Sequence, residues 1–333
     1  MSTFIIAEAG ANHNKNFKQA LTLIDIAVES GASACKFQTY SSETLYSRNT
    51  PDFAGYKNIN KLIKDIELPR EWQKDLKQYC DEKGIEFMST PFDEKAVDEL
   101  VALGVKRLKI AGFESTDFRF VEMVASTGLP LVISLGIGFQ WQWLSRYSSI
   151  ASKYKNNLTL LHCNNAYPTP MRDVDLDAIT SLRYGRYLGP SEERAYEVGF
   201  SDHTTSVITP ALAVITGATT IEKHFTINRR LPGPDHSFAL EPNELKQMID
   251  YIKQAEQALI KQPTSARFSQ SEEKFKSAMR SVVAKTSIRA GEIFTIDNIT
   301  TKRPYLEGNI PASEFDFILG SISTKNYEED DFI

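Results

Sequence analysis

The strongest constraint on this chain is a rhythm: from residue 3 to about residue 260, short apolar β-rich runs alternate with longer segments of helical period. The runs are Phe4 to Glu8, Ala34 to Gln38, Glu86 to Thr90, Arg107 to Ala111, Leu131 to Leu135, Thr159 to Cys163, Glu197 to Ser201 and Thr220 to His224. Segments such as FKQALTLIDIAVESG and PREWQKDLKQYCDEKG separate them, and each ends in a glycine able to take the left-handed conformation that closes a helix. Strand and helix in alternation argue for repeated βα units around a parallel sheet. Eight units in this span match the size of a (β/α)8 TIM barrel.

The rhythm stops near KQMIDYIKQAEQALIKQ, a polar stretch PTSARFSQSEEK follows, and the tail then reads as short strands and turns. The expected organisation is a barrel over residues 1–262, a linker over 263–277 and a small mostly β domain over 278–333. One connection inside the barrel is unusually long: residues 39–69, with Pro51 and Gly55, separate the second strand from its helix. Such a loop is often a functional lid or contact, with a surface insertion as the default reading.

A hydrophobic share of 41% with 24% charged residues suits a soluble globular protein, and no apolar run is long enough to suggest a membrane span. The N-terminal MSTFIIAEAGANHN lacks a basic leader, so a mature, cytoplasmic chain is expected. A net charge of −5 without a long basic run argues against nucleic acid as a partner. Cys35, Cys80 and Cys163 are widely spaced and odd in number, which predicts buried thiols rather than a disulfide framework.

Chemistry in a TIM barrel sits at the C-terminal ends of the strands, and here nearly every strand end is polar. In order these ends offer Glu8; Lys36 and Gln38; Ser89 and Thr90; Lys109 followed by Glu114; Ser134; Asn164 and Asn165 with Tyr167; Ser201, Asp202 and His203; and Glu222 and His224. A full ring of such groups is costly to desolvate without a ligand to meet. His203 and His224 end neighbouring strands, so their imidazoles can converge on one divalent metal, with Asp202 and Glu222 flanking them as carboxylates able to orient the rings from behind. His162 reads as structural, while His13 and His236 lie in loops that could line the mouth. Lys36 and Lys109 admit two equal readings: salt bridges to Glu8 or Glu114, or a phosphate site completed by the Thr90 and Ser134 hydroxyls.

At these residues the sequence resembles the sialic acid synthase family, in which a phosphoenolpyruvate-using barrel precedes a small antifreeze-like (SAF) domain. The resemblance is carried by IIAEAGANHN, KFQT, FMSTPFD, LKIAGFE, NAYPTP, GFSDHT, IEKHFT, LPGPDHSFALEP and SVVAKTSIRAGEIFTIDNITTKRP, across essentially the whole chain. It implies that His203 and His224 hold manganese or magnesium, that Lys36, Thr90, Lys109 and Ser134 take the phosphate of phosphoenolpyruvate, and that Asn165 and Ser201 lie near its carboxylate. It places Glu8, Gln38, Tyr167 and Asp235 around the sugar and the attacking water, adds Glu114 to the sugar contacts, has Glu222 support the metal region, and brings Arg303 to the sugar's acyl group from the partner of a domain-swapped homodimer. The form of LKIAGFE, with Ala111 and Gly112, looks like the pseudaminic or legionaminic branches, and SLGI retains Ser134 and Gly136. LPGPDH looks like N-acetylneuraminate and legionaminate synthases.

The implied reaction joins phosphoenolpyruvate to an N-acylated amino-sugar aldehyde, either N-acetylmannosamine or a 2,4-diacetamido-trideoxy hexose. Glu8, Lys36, Lys109 and Glu222 form the expected catalytic set, with Glu8 as general base for the water that adds at carbon 2. Two rivals are another phosphoenolpyruvate-dependent aldol-type barrel synthase, against which the β tail and its KRP motif argue, and a non-catalytic sugar-binding protein.

Overall fold

A computed structural model of the chain describes residues 2–52, 55, 57–185, 195–260 and 269–333. It contains two compact units, residues 1–259 and 260–333. In the first, eight parallel strands run β1 (Phe4–Gly10), β2 (Ala34–Thr39), β3 (Glu86–Pro91), β4 (Leu108–Ile110), β5 (Leu131–Leu135), β6 (Leu158–Cys163), β7 (Glu197–Asp202) and β8 (Thr220–His224). Their spatial order is β3-β2-β1-β8-β7-β6-β5-β4, and β3 and β4 at its two ends lie side by side, so the sheet closes as a TIM barrel. The expected strands are all present. β4 is shorter than expected because the backbone turns at Ala111, whose carbonyl accepts from the N–H groups of Glu114 and Ser115.

Helices α1 (Phe17–Ser30), α2 (Ile59–Ile66), α3 (Trp72–Lys83), α4 (Glu94–Leu103), α5 (Phe118–Ala125), α6 (Leu144–Tyr154), α7 (Asp177–Arg183), α8 (Thr209–Thr216) and α9 (Pro242–Ala258) lie between and after the strands. α1 shows why they start and stop where they do. Asn16 caps its N-terminus by accepting from the Gln19 N–H, and Gly31 ends it at φ 87°, a conformation that favours glycine.

Side chains alternate across each strand, and the two faces meet different surroundings. Outward residues such as Ile5, Ala7, Cys35, Phe37, Ile133 and Phe200 pack under the helices in the main core. Inward, Ile6, Ala34, Met88, Val132 and Leu161 form a buried apolar plug inside the barrel. Two residues further along most strands the inward positions become polar, and the functional site begins there.

The long connection of residues 39–69 contains a helix the sequence reading did not separate from the loop. α2 turns Ile59, Ile63 and Ile66 onto Ala11 and Tyr40, with Leu45, Tyr46, Leu62 and Phe92 packed around them. The second unit holds an antiparallel pair, β9 (Ser281–Ala284) and β10 (Ile299–Lys302), over a core of Val282, Ala284, Ile288, Phe294, Ile299, Tyr327 and Ile333. Of the stretch read as a linker, 263–268 lie outside the described residues, and Glu273–Ala278 forms a short 3-10 helix. Among the described residues no helix is long and apolar enough to cross a membrane.

Candidate active site

The register of the barrel decides which polar residues meet. Glu8 lies beside Lys36 on β2 and beside His224 on β8, while Ser201 lies beside both Cys163 and Glu222. Period-2 alternation then turns all of these inward. The result is a small polar pocket of about 40 Å³ lined by Glu8, Lys36, Gln38, Thr90, Lys109, Ala111, Gly112, Ser134, Cys163, Asn165, Tyr167, Ser201, His203, Glu222 and His224.

At its floor stand four buried charges. Lys36 Nζ is 2.8 Å from Glu8 Oε2, donates to Thr90 Oγ1 at 2.8 Å, and lies 3.8 Å from Glu222 Oε2. Lys109 Nζ donates to Ser134 Oγ at 2.8 Å and lies 3.7 Å from Glu222 Oε1, which also accepts from Ser201 Oγ. Two ammonium groups and two carboxylates balance, which is what lets them stay buried. Both readings of the lysines meet here: Lys36 does pair with Glu8, but inside a cavity where the Thr90 and Ser134 hydroxyls also converge. Lys109 faces Glu222 across the barrel, a partner that neither reading named.

Burial lifts the Glu8 carboxyl to about 7, opposed by Lys36 and reinforced by the Glu222 carboxylate. For Glu222 burial pushes up, but Lys109 and Lys36 outweigh it and hold the carboxyl below its usual range. Burial likewise pushes Lys36 down while Glu222 and Glu8 more than offset it, whereas Lys109 stays lowered because burial exceeds the help of Glu222. The two carboxylates are thus driven apart, one poised to exchange a proton near neutrality and one held ionised.

His203 and His224 do converge, with ring centroids 5.5 Å apart. His203 Nδ1 donates to the Asn164 carbonyl at 2.6 Å, which fixes the tautomer and leaves the Nε2 lone pair free. His224 Nδ1 is buried without a hydrogen-bond partner, as is Glu222 Oε2. Burial pushes His203 down to about 4 and His224 well below its usual value, so both rings are neutral and able to ligate a metal near pH 7. Among the described residues no group of three or more His, Cys, Asp or Glu gathers as a metal cage, so a cation here would rest on the two imidazoles and be completed by water or substrate. The donor set fits an open divalent site.

Above the polar floor a wider cavity of about 450 Å³ shares Gln38, Ala111, Asn165, Tyr167 and His224 with it. Its outer wall is largely apolar: Leu45, Tyr46, Ile59, Leu62, Ile63 and Ile66 from the 39–69 segment, facing Phe92, Phe113 and Phe238. Asp235 closes one side, its Oδ2 accepting from the Ala11 N–H at 3.2 Å, and Gln38 donates to Glu8 Oε1 at 2.9 Å.

Some expected placements change. Asp202 faces the helices, where its Oδ2 takes the buried Lys223 ammonium at 2.7 Å; as the residue between inward Ser201 and His203 it cannot support a metal. His13 packs on Phe37 and Trp72, and His236 is held by Thr226 and Asn14, so neither lines the mouth. His162 is structural as expected, bonded to the Val174 carbonyl. Glu114, expected at the sugar, lines neither cavity and has a buried, unpartnered Oε2. Arg303 is exposed on the second unit. All three cysteines are free and buried, but Cys163 belongs to the polar pocket, a placement visible in the alternation of LHC beside outward His162 yet not drawn from it.

Glu114 yields a stability prediction. Burial raises its carboxyl to about 7, so the folded chain holds a proton that the unfolded chain releases, and stability falls as pH rises from about 4.5 through 7. The Glu114→Gln variant is expected to be up to ~3 kcal/mol more stable than the parent at pH 8, with the gain shrinking toward pH 5. Urea melts at the two pH values check it.

The NeuB family signature matches residues 23–263, and the SAF domain signature matches residues 279–333. The chain belongs to the NeuB family. It is 37% identical to the N,N'-diacetyllegionaminic acid synthase of Campylobacter jejuni over 99% of this chain and 98% of that protein. It is 41% identical to the Legionella pneumophila protein of the same name over 78% of this chain and 74% of that one. Among solved structures, the N-acetylneuraminic acid synthetase of Leptospira borgpetersenii, in complex with citrate, superposes with a TM-score of 0.72 at 33% identity over 83% of this chain and 90% of that one. These relatives are named as synthases of legionaminic and N-acetylneuraminic acid, both nine-carbon keto sugar acids.

Proposed function

We propose that this NeuB-family chain condenses phosphoenolpyruvate with a 2,4-diacetamido-trideoxy hexose in its open aldehyde form, giving a nine-carbon 2-keto sugar acid and phosphate. The observation that carries it is the joining of a charge-balanced Lys–Glu floor and two neutral imidazoles to a cavity with an apolar outer wall.

Lys36, Lys109, Thr90 and Ser134 bind and orient the phosphoryl group, and Asn165 and Ser201 face the carboxylate. Carbon 3 of the enol bonds to the aldehyde carbon, whose oxygen takes the Glu8 proton and becomes a hydroxyl. Water adds at carbon 2, losing a proton to the Glu8 carboxylate so formed; the carbon 2–oxygen bond to phosphate then breaks, the hydroxyl proton leaves with the phosphate, and the ketone remains. Polarisation of the aldehyde carbonyl is the chemistry that manganese or magnesium on His203 and His224 supplies. Holding two small reactants face to face itself removes several kcal/mol of barrier. Arg303 is proposed to reach the acyl group from the partner of a domain-swapped homodimer.

The apolar wall supports this choice of sugar. A methyl group at carbon 6 and a second acetamido methyl can rest on Leu45, Leu62 and Phe113, whereas the hydroxyls of N-acetylmannosamine would lose water there without gaining a partner. One such difference is worth roughly 10- to 200-fold in kcat/KM. Mass spectrometry of products from a panel of amino sugars is expected to show at least about 10-fold preference for the diacetamido sugar, reduced in Leu62→Gln. Equal or better use of N-acetylmannosamine would contradict the choice, and undiminished turnover in chelator would contradict the metal.

A further inference from the structure

Two glycines beside Asn165, one of them lining the polar pocket, have no backbone reason to be glycine. Gly112, after β4, and Gly136, after β5, both lie outside the left-handed region, so side chains are excluded by space rather than by conformation. What fills that space is one side chain, Asn165. A Cβ on Gly136 would sit 1.8 Å from Asn165 Oδ1, and a Cβ on Gly112 would sit 2.9 Å from both Oδ1 and Nδ2. The cost of a larger residue therefore falls first on Asn165, and at Gly136 also on the Gly112 backbone, whose Cα would lie 3.2 Å from the added Cβ.

The amide's orientation is also fixed. The Ile137 N–H donates to Asn165 Oδ1 at 2.7 Å, so the oxygen is turned toward the β5 turn and the nitrogen, which also bonds the Tyr167 hydroxyl, is the donor end with a second N–H to offer. Asn165 lines both the polar pocket and the wider cavity, so this donor stands where they join. We infer that Gly112 and Gly136 are positioning residues: a two-glycine slot that clamps Asn165 flat and presents Nδ2 to the anionic substrate. This rests on the reading of Asn165 as a contact of the phosphoenolpyruvate carboxylate. The glycines act chiefly through Asn165, and that makes the idea separable from a general packing role.

The test is a double-mutant cycle on phosphoenolpyruvate affinity by titration calorimetry, with Gly136→Ala, Gly112→Ala, Asn165→Ala and the two glycine changes in the Asn165→Ala chain. Loss of one hydrogen bond to a charged group corresponds to about 10-fold in Kd, expected for Gly136→Ala and Asn165→Ala, with about 3-fold for the milder Gly112→Ala. In the Asn165→Ala chain either glycine change should alter Kd by less than about 2-fold. Multiplying losses would overturn the clamp, as would a Gly136→Ala or Gly112→Ala crystal structure with Asn165 unmoved. A parent chain with no affinity for phosphoenolpyruvate would sink the functional reading, yet the position of Asn165 in those crystals would still decide the slot.

Discussion

Replacing His224 by alanine is expected to remove bound metal and to lower turnover by about 10³-fold, the scale of several kcal/mol of carbonyl polarisation. His224 has a buried Nδ1 without a partner, and its ring is held neutral beside His203. Alanine removes that ligand without leaving a stranded partner, so the fold should survive. Metal content by elemental analysis and phosphate release by continuous assay measure the two effects. The experiment also separates an enzyme from a sugar-binding module, which would keep its affinity for the sugar and show no turnover even before the change. Full activity in the variant would remove the imidazoles from the mechanism.

The second large effect is expected at Lys109. Changing it to methionine takes a cation from a buried set of two ammonium and two carboxylate groups and leaves Glu222 3.8 Å from Lys36 alone. Breaking a buried pair in this way costs about 3–5 kcal/mol of stability, and the KM for phosphoenolpyruvate should rise about 100-fold through the lost ammonium contact. The double change with Glu222→Gln restores charge balance. It should recover much of the stability while leaving the affinity loss in place, because the neutral partner repairs the fold but supplies no cation. Recovery of affinity alongside stability would show that Lys109 acts only in packing.

The sequence carried the architecture well because the strands and helices are locally encoded: apolar runs, helical periods and closing glycines mark each unit, and every expected strand is present. The inward ring was legible for the same reason, since alternation assigns Glu8, Lys36, Lys109, Ser134, Ser201, Glu222 and His224 to one face. What escaped were relations set by closure of the barrel. Lys109 on β4 meets Glu222 on β8, strands far apart in the sheet order, and nothing local distinguishes that partner from Glu114. Asp202 was misplaced by taking nearness in sequence for nearness in space, when one step along a strand reverses the side chain. The apolar wall of α2 was hidden in a segment whose length and Pro51 read as loop, and the crowding of Asn165 against Gly112 and Gly136 depends on three separate turns.

The most direct test of the central claim follows phosphoenolpyruvate carrying a heavy oxygen at the bridge between carbon 2 and phosphorus, incubated with the diacetamido sugar and manganese. Carbon–oxygen cleavage predicts that the heavy atom leaves in the phosphate, one phosphate for each nine-carbon keto acid. Heavy oxygen retained in the keto acid, or phosphoenolpyruvate left unconsumed, would contradict it.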